Sequence, residues 1–147
     1  MLAQAGGYRL LSTAPFEHGG WRWHHDAVHK QVKVMILLSD VPDGGQRMDY
    51  LPGTHKIWRP KTAYEKTRFR PEDMQQYGKP IQCLGQAGTV VIFDTNGLHR
   101  GNRSTGPERD IWYYSYTAGA DVYPVRLHPD VVTQLTPEQQ WLARTRA

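Results

Sequence analysis

The chain lacks the residues that define several protein classes. Cys83 is the only cysteine among 147 residues, so no internal disulfide can form and a reducing, cytoplasmic setting is expected. No run of about 18 apolar residues occurs, so no membrane-spanning helix is predicted. Residues 1–5 lack the charged and apolar stretches of a signal peptide, and none is expected.

Positive charge is in slight excess but is not concentrated. The net charge is +4, and the basic residues are scattered apart from a loose group at residues 59–70. A nucleic-acid-binding protein would cluster them on one face, so no nucleic-acid partner is expected. The excess fits a solvated surface or attraction for an anionic small molecule.

Strand signals separated by glycine- and proline-rich turns dominate the sequence. The strongest, residues 31–38, begins with polar–apolar alternation and ends in a continuous apolar run, as a buried central strand would. Similar runs occur at residues 8–12, 21–24, 48–51, 81–84, 89–93, 98–101 and 110–117. With no βαβ alternation and no repeat, about eight short strands predict an all-β, double-stranded β-helix (a jelly roll, cupin-like).

Length and pattern predict one domain over residues 1–147. Residues 54–79 are polar and lack strand periodicity, so we interpret them as an insertion, and with residues 118–130 as lid segments; a short helix is expected near 71–77. Near the end of the chain, Thr136 as N-cap, Pro137 as first residue and Gln139 as capping-box partner predict a short C-terminal helix.

The triplet His24-His25-Asp26 is the most informative motif. On an extended strand, side chains two apart share a face, so His24 and Asp26 point the same way. Together with His99 from a distant strand they can form a two-histidine, one-carboxylate triad, which suits non-haem Fe(II) and leaves three adjacent positions open. The alternative is chance, because such triplets are common and the chain has seven histidines.

Other reactive side chains receive structural interpretations. Cys83 lies in a predicted strand and is expected to be a buried, inert thiol. His29 is expected to be exposed in a loop, His55 to be structural in a turn, and His18 and His128 have no partner in the sequence pattern. The aromatic residues of the last strand, 112–116, either line a pocket or pack in the core, and core packing is the commoner case.

With these residues placed, residues 8–117 resemble the phytanoyl-CoA dioxygenase family of Fe(II)/2-oxoglutarate-dependent oxygenases. Four stretches in family order carry the resemblance: Trp23-His24-His25-Asp26, residues 33–41 running into Gly44-Gly45, Tyr50-Leu51-Pro52-Gly53-Thr54-His55, and residues 88–109 with Phe93-Asp94, His99, Asn102 and Arg109. The chain departs from the family in its short N-terminal region, since only 23 residues precede His24.

The resemblance implies the site residues. His24, Asp26 and His99 would bind Fe(II), and Arg109 would anchor the far carboxylate of 2-oxoglutarate, a task that suits a planar guanidinium. Lys33 alternates with two valines on the strand after the triad. It would either contact 2-oxoglutarate or an anionic substrate, or face solvent.

The implied function is a dioxygenase that uses O2 and 2-oxoglutarate to hydroxylate a small organic substrate, releasing succinate and CO2. The alternative is a truncated or non-catalytic metal-binding jelly-roll module. A cupin-like metalloenzyme without a co-acid is disfavoured by Arg109, because such an enzyme needs no carboxylate anchor. An uncovered apolar sheet face would favour a homo-oligomer.

Overall fold

The computed structural model consists mainly of antiparallel strands. It describes residues 2–11, 21–26, 30–57, 68–102, 104–117 and 129–138. Within these ranges the strands are β1 (Leu2–Leu10), β2 (Trp23–His24), β3 (Gln31–Leu37), β4 (Met48–Tyr50), β5 (Arg68–Phe69), β6 (Ile81–Cys83), β7 (Val90–Asp94), β8 (His99–Gly101) and β9 (Arg109–Thr117). Two 3₁₀ segments, Thr54–Lys56 and Pro71–Tyr77, and a short helix, α1 (Pro129–Val132), complete the described elements.

The strands form two sheets. The long-stranded sheet has the order β1-β9-β3-β7, and the short-stranded sheet has the order β5-β2-β8-β4-β6. Neighbouring strands pair antiparallel throughout. Buried side chains from both sheets, including Met35 and Ile111 from one and Met48 and Cys83 from the other, form a common apolar core. The predicted all-β, jelly-roll fold is confirmed.

Alternation along β9 decides which side chains enter the core. Ile111 and Ser115 are buried, whereas Trp112 and Tyr116 on the opposite face are 39% and 42% exposed. Because successive strand residues point to opposite faces, this face of the long-stranded sheet is the outer one. The expectation of core packing is therefore wrong for Trp112 and Tyr116, and Cys83 is buried as predicted.

Strand β1 is longer than its sequence signal, which began at residue 8. Its first half contains Gly6 and Gly7, which have low intrinsic strand preference, but β1 pairs along almost the whole of β9. A Cβ on Gly7 would lie 2.7 Å from the Trp112 ring, and one on Gly6 would lie 3.1 Å from the Tyr113 hydroxyl. Glycine is therefore needed here so that the aromatic side chains of β9 can lie against the neighbouring backbone.

Part of the predicted insertion packs tightly against the body of the protein. Met74 of the second 3₁₀ segment is buried with Trp23, Leu51 and Leu98, and forms a second, smaller core. The segment over residues 71–77 is thus helical as expected, but of the 3₁₀ type. Strand β5, which was not predicted, pairs with β2. Residues 58–67 lie outside the described part of the chain, so the lid assignment stays a prediction.

The C-terminal segment contains a small amount of helix. Helix α1 was not predicted, while Pro137 and Glu138 are helical where the sequence predicts a helix to begin. The remainder of that predicted helix, including Gln139, lies outside the described residues. Among the described residues, no helix has the length and apolar character needed to cross a membrane.

Candidate metal centre

The sheet pairing brings the two predicted histidine ligands together. His24 on β2 and His99 on β8 are directly opposite each other in the antiparallel ladder, so their side chains share a face. Their ring centroids are 4.4 Å apart. Asp26 follows β2, and its backbone N–H donates to the carbonyl of Thr95, 3.0 Å away. Residues far apart in the sequence therefore meet at one end of the short-stranded sheet.

The three side chains present their ligand atoms to a common point. Asp26 Oδ1 lies 3.4 Å from His24 Nε2 and 3.5 Å from His99 Nε2. One ligand atom from each residue lies within 4.8 Å of the other two. With metal–ligand bonds of about 2.1 Å, cis ligands are separated by about 3.0 Å in octahedral and about 3.4 Å in tetrahedral geometry. The donor set therefore fits a divalent first-row metal after shifts of a few tenths of an ångström at most in these two distances.

Backbone carbonyls set the tautomer of both imidazoles. His24 Nδ1–H donates to the carbonyl of Arg22 at 2.7 Å, and His99 Nδ1–H donates to the carbonyl of Gly97 at 2.9 Å. With the proton on Nδ1, the neutral ring keeps a lone pair on Nε2, which is the atom that faces Asp26. Metal-binding histidines are commonly oriented in this way.

Electrostatics at the centre favours the metal-binding forms of His24 and Asp26. Burial lowers the pKa of His24, although the neighbouring Asp26 opposes this shift. Burial raises the pKa of Asp26, but the adjacent imidazoles of His24 and His99 and the charge of Lys33 outweigh it and hold that pKa well below its usual range. A neutral imidazole and an ionised carboxylate are the forms that bind a metal ion.

Lys33 reaches the centre from the opposite sheet. Its Nζ donates to Asp26 Oδ2 at 2.7 Å and lies 5.2 Å from the centre of the Tyr113 ring. The lysine side chain is 22% exposed, so the solvent-facing alternative is wrong. Contact with 2-oxoglutarate or an anionic substrate stays a prediction.

Arg109 is a buried cation with unused hydrogen-bond donors. It begins β9, rather than lying in the preceding loop, and it is only 2% exposed. Its Nε and Nη1 groups are buried without a hydrogen-bond partner, and no described carboxylate forms an ion pair with it. Burial lowers the pKa of Arg109, whereas nearby Tyr8 raises it. A buried guanidinium in this condition is suited to an anionic ligand.

A single cavity joins these groups. Its volume is about 590 Å³, which lies within the usual range of ligand pockets. The triad, Lys33 and Arg109 line it together with apolar and aromatic side chains, notably Met35, Phe93, Ile111, Trp21, Tyr8 and Tyr113. A bound molecule could therefore contact the triad and the arginine at the same time.

Of the other histidines, the two that the structure describes do not join the centre. His25 is buried and lies near Phe69, with 6.1 Å between ring centroids, and it is not among the residues that line the cavity. His55 is exposed in the first 3₁₀ segment. His18, His29 and His128 lie outside the described residues. Of the four described histidines, His24 and His99 thus face the common point of the triad, whereas His25 and His55 do not.

Three residues in or near this region, Tyr8, Trp21 and Asp49, carried no functional prediction from the sequence. Trp21 and Tyr8 line the cavity, although only the former lies near a motif. Asp49, which carried no motif signal, is 1% exposed and bonds both Arg47 and Arg100 on the other face of the short-stranded sheet. The hint in the sequence was a charged residue between Met48 and Tyr50 in a predicted strand.

Comparisons with solved structures find the same fold in other proteins. HygX from Streptomyces hygroscopicus, solved with nickel and 2-oxoglutarate bound, matches with a TM-score of 0.59 and 15% identity over 89% of this chain and 62% of HygX. The non-heme alpha-ketoglutarate-dependent epimerase SnoN from nogalamycin biosynthesis matches with a TM-score of 0.56 and 19% identity over 88% and 61%. AviO1 from Streptomyces viridochromogenes gives 0.56 and 18% over 85% and 53%.

These likenesses establish a shared fold. The chain spans between 53% and 62% of the length of these three neighbours. Other structures of HygX contain iron, or nickel with 2-oxoglutarate and hygromycin B. No protein-family model and no curated protein matches the chain.

Proposed function

We propose that the protein is an Fe(II)/2-oxoglutarate-dependent dioxygenase that hydroxylates a small organic substrate with release of succinate and CO2. The observation that carries the proposal is the joint occurrence, in one cavity, of a two-histidine, one-carboxylate donor set and a buried arginine with unused donors. The donor set alone would fit several metal enzymes. The arginine adds a requirement for an anionic ligand, which 2-oxoglutarate meets.

Each residue has a distinct role in this proposal. His24, Asp26 and His99 would hold the iron, and Arg109 would bind the far carboxylate of 2-oxoglutarate through paired hydrogen bonds. Bound Fe(II) would supply the activation of O2 and the oxidation of the substrate. The carbonyls of Arg22 and Gly97 keep the two imidazoles in the binding tautomer.

The cavity walls determine what else can bind. Met35, Phe93 and Ile111 provide apolar surface beside the triad, so an organic substrate could place a C–H bond there while water is excluded. Exclusion of water protects a reactive site from side reactions and strengthens the ionic contacts to Arg109. The substrate itself is not specified by these residues.

Membership of the phytanoyl-CoA dioxygenase family is part of the proposal. Its support is the order of the four sequence stretches and the fold, together with the metal and 2-oxoglutarate found in HygX. One of the neighbours, SnoN, is an epimerase. Because one fold can support several reactions, the hydroxylation outcome has to be tested separately from binding.

A non-catalytic metal-binding module is the second candidate. The likeness to the three neighbours covers only 53% to 62% of their length and supports the fold rather than turnover. The donor set of His24, Asp26 and His99 would by itself suffice to bind a metal. We also propose that the protein can form a homo-oligomer, in which a second copy covers the outer face of the long-stranded sheet.

An anaerobic titration with Fe(II) and 2-oxoglutarate tests the proposal. We expect a weak visible charge-transfer band that requires both components and is lost in Asp26→Ala, with His55→Ala as the matched control at an exposed histidine. Iron binding without the band would favour the metal-binding module. Absence of iron binding would reject both candidates. After a substrate screen, the product mass separates hydroxylation from epimerisation, which adds no oxygen.

A further inference from the structure

We propose that Lys33 is a positioning residue that restricts Asp26 to binding the metal through one oxygen. This inference rests on the proposed function, because it concerns the same metal centre. It assigns to Lys33 a role different from the co-substrate contact expected from the sequence.

The two oxygens of Asp26 have different surroundings. Oδ1 faces both imidazoles, at 3.4 Å from His24 Nε2 and 3.5 Å from His99 Nε2. Oδ2 accepts a hydrogen bond from Lys33 Nζ at 2.7 Å. A charge-assisted bond of this length is among the stronger hydrogen bonds in proteins. It therefore holds Oδ2 away from the point that Oδ1 shares with the histidines.

Lys33 is well placed to impose this arrangement because its backbone is fixed on both sides. It lies within β3, opposite Phe93 of β7 and Ser115 of β9. Its ammonium group also lies near the face of the Tyr113 ring, which favours a cation. Asp26, by contrast, follows the end of the two-residue strand β2. The lysine of one sheet thus orients a carboxylate at the edge of the other.

The number of metal positions explains why a single oxygen matters. A facial triad with three one-atom ligands leaves three positions open in an octahedral site. Chelation by the keto-acid end of 2-oxoglutarate needs two of them, and O2 needs the third. A carboxylate that bound through both oxygens would occupy one of these positions, so the binding of 2-oxoglutarate would weaken.

Three variants test the inference with Co(II) as the probe metal. Lys33→Met removes the charge and keeps the length of the side chain, Lys33→Arg retains a cationic donor, and Lys79→Met is the control at an exposed lysine. We would record the visible absorption of the Co(II) protein without 2-oxoglutarate, then titrate 2-oxoglutarate, and measure thermal unfolding of each variant.

We expect the Co(II) spectrum of Lys33→Met to differ from that of the wild type before any 2-oxoglutarate is added. We also expect its 2-oxoglutarate affinity to fall on the order of 10-fold or more, as for other residues that orient metal ligands. Lys33→Arg should restore both properties at least in part, and Lys79→Met should change neither.

Three outcomes would overturn the inference in distinguishable ways. An unchanged Co(II) spectrum in Lys33→Met together with a loss of 2-oxoglutarate affinity would mean that Lys33 contacts the co-substrate directly. Unchanged spectrum and unchanged affinity would mean that the ion pair is not needed. Failure of the wild type to bind Co(II) would instead reject the proposed metal centre, and the inference with it.

Discussion

Two charged clusters lie on opposite faces of the short-stranded sheet and differ in how completely their polar atoms are satisfied. On the outer face, Asp49 accepts hydrogen bonds from Arg47 at 3.0 Å and from Arg100 at 3.1 Å and 3.2 Å. Arg100 also stacks over Trp23, with 4.7 Å between the guanidinium and the ring centre. Both carboxylate oxygens of Asp49 are thus used within the protein.

On the cavity face, by contrast, several polar atoms are not used within the protein. Two imidazoles and a carboxylate oxygen converge, and Arg109 is buried with two nitrogens lacking hydrogen-bond partners. Buried polar groups normally find partners, and exceptions often mark functional positions. The outer cluster therefore stabilises the sheet, whereas the inner groups are arranged for a ligand. Removing a member of the outer cluster should therefore lower the stability of the fold, whereas removing a member of the inner group should weaken the binding of metal or 2-oxoglutarate.

The largest effect is expected for Asp49→Ala. It leaves Arg47 and Arg100, which are 15% and 26% exposed, without their shared carboxylate. We expect the free energy of unfolding to fall by about 3–5 kcal/mol, measured by urea denaturation. Glu72→Ala, at an exposed acidic residue, should change it by no more than about 0.5 kcal/mol. Equal effects of the two substitutions would show that the outer cluster does not stabilise the fold.

A smaller effect is expected at the inner cluster for His99→Ala. Metal bound to the native state should stabilise the wild type by about 2.7 kcal/mol when free metal is 100 times its dissociation constant. His99→Ala should lose this stabilisation and any iron-dependent activity, while His55→Ala should retain both. The check is the change in thermal unfolding on adding Fe(II) under anaerobic conditions, or Ni(II). Metal stabilisation that survives in His99→Ala would remove that histidine from the ligand set.

Arg109→Met should have opposite effects on the stability of the fold and on the binding of 2-oxoglutarate. The 2-oxoglutarate affinity is expected to fall by about 2–3 kcal/mol, which is about 30- to 150-fold, because a bidentate contact is lost. The free energy of unfolding should rise by on the order of 1 kcal/mol, because a buried cation without a carboxylate is replaced by an apolar side chain. Calorimetric titration and urea denaturation measure the two quantities. A large loss of stability instead would place Arg109 with the structural residues.

The smallest effect is expected on the reactivity of Cys83, whose pKa is influenced by a charged residue of each cluster. Burial raises the pKa of this thiol to about 11, and the charge of Arg109 lowers it while that of Asp49 raises it. Since only the thiolate is nucleophilic, alkylation of the native protein at pH 9 should be about 50-fold slower than in urea. Arg109→Met should slow it further, because a cation that favours the thiolate has been removed. Equal rates in native and unfolded protein would contradict the raised pKa.

Features that depend on local sequence patterns were predicted correctly. Alternation and the apolar run in residues 31–38 and the aromatic richness of residues 110–117 predicted the two central strands, which the structure has at Gln31–Leu37 and Arg109–Thr117. The triplet containing His24 and Asp26 led to the hypothesis of a metal site, because two residues of a strand that are two positions apart share a face and this spacing is visible in the sequence. The signal failed for the first part of β1, before residue 8, where Gly6 and Gly7 allow close packing against Trp112 and Tyr113 but have low strand propensity.

Other features depend on contacts between distant residues, which leave no periodic trace. Strand β5 consists of two residues that pair with β2, and its existence depends on that partner. Lys33 and Asp26 are near in sequence, but their ion pair forms across the cavity between the sheets. The sequence likewise offered solvent as an equal alternative for Lys33, because alternation identifies a face without saying what that face meets.

The amino-acid sequence by itself determined the class of fold and the chemical types available at the centre, since periodicity and residue identity are local properties. Only the tertiary structure decided that His24 lies opposite His99, that Asp26 offers one oxygen to them and the other to Lys33, and that Arg109 is buried with no ion-pair partner among the described residues. Register and sheet packing set these relations, and both depend on pairing between segments far apart in the chain.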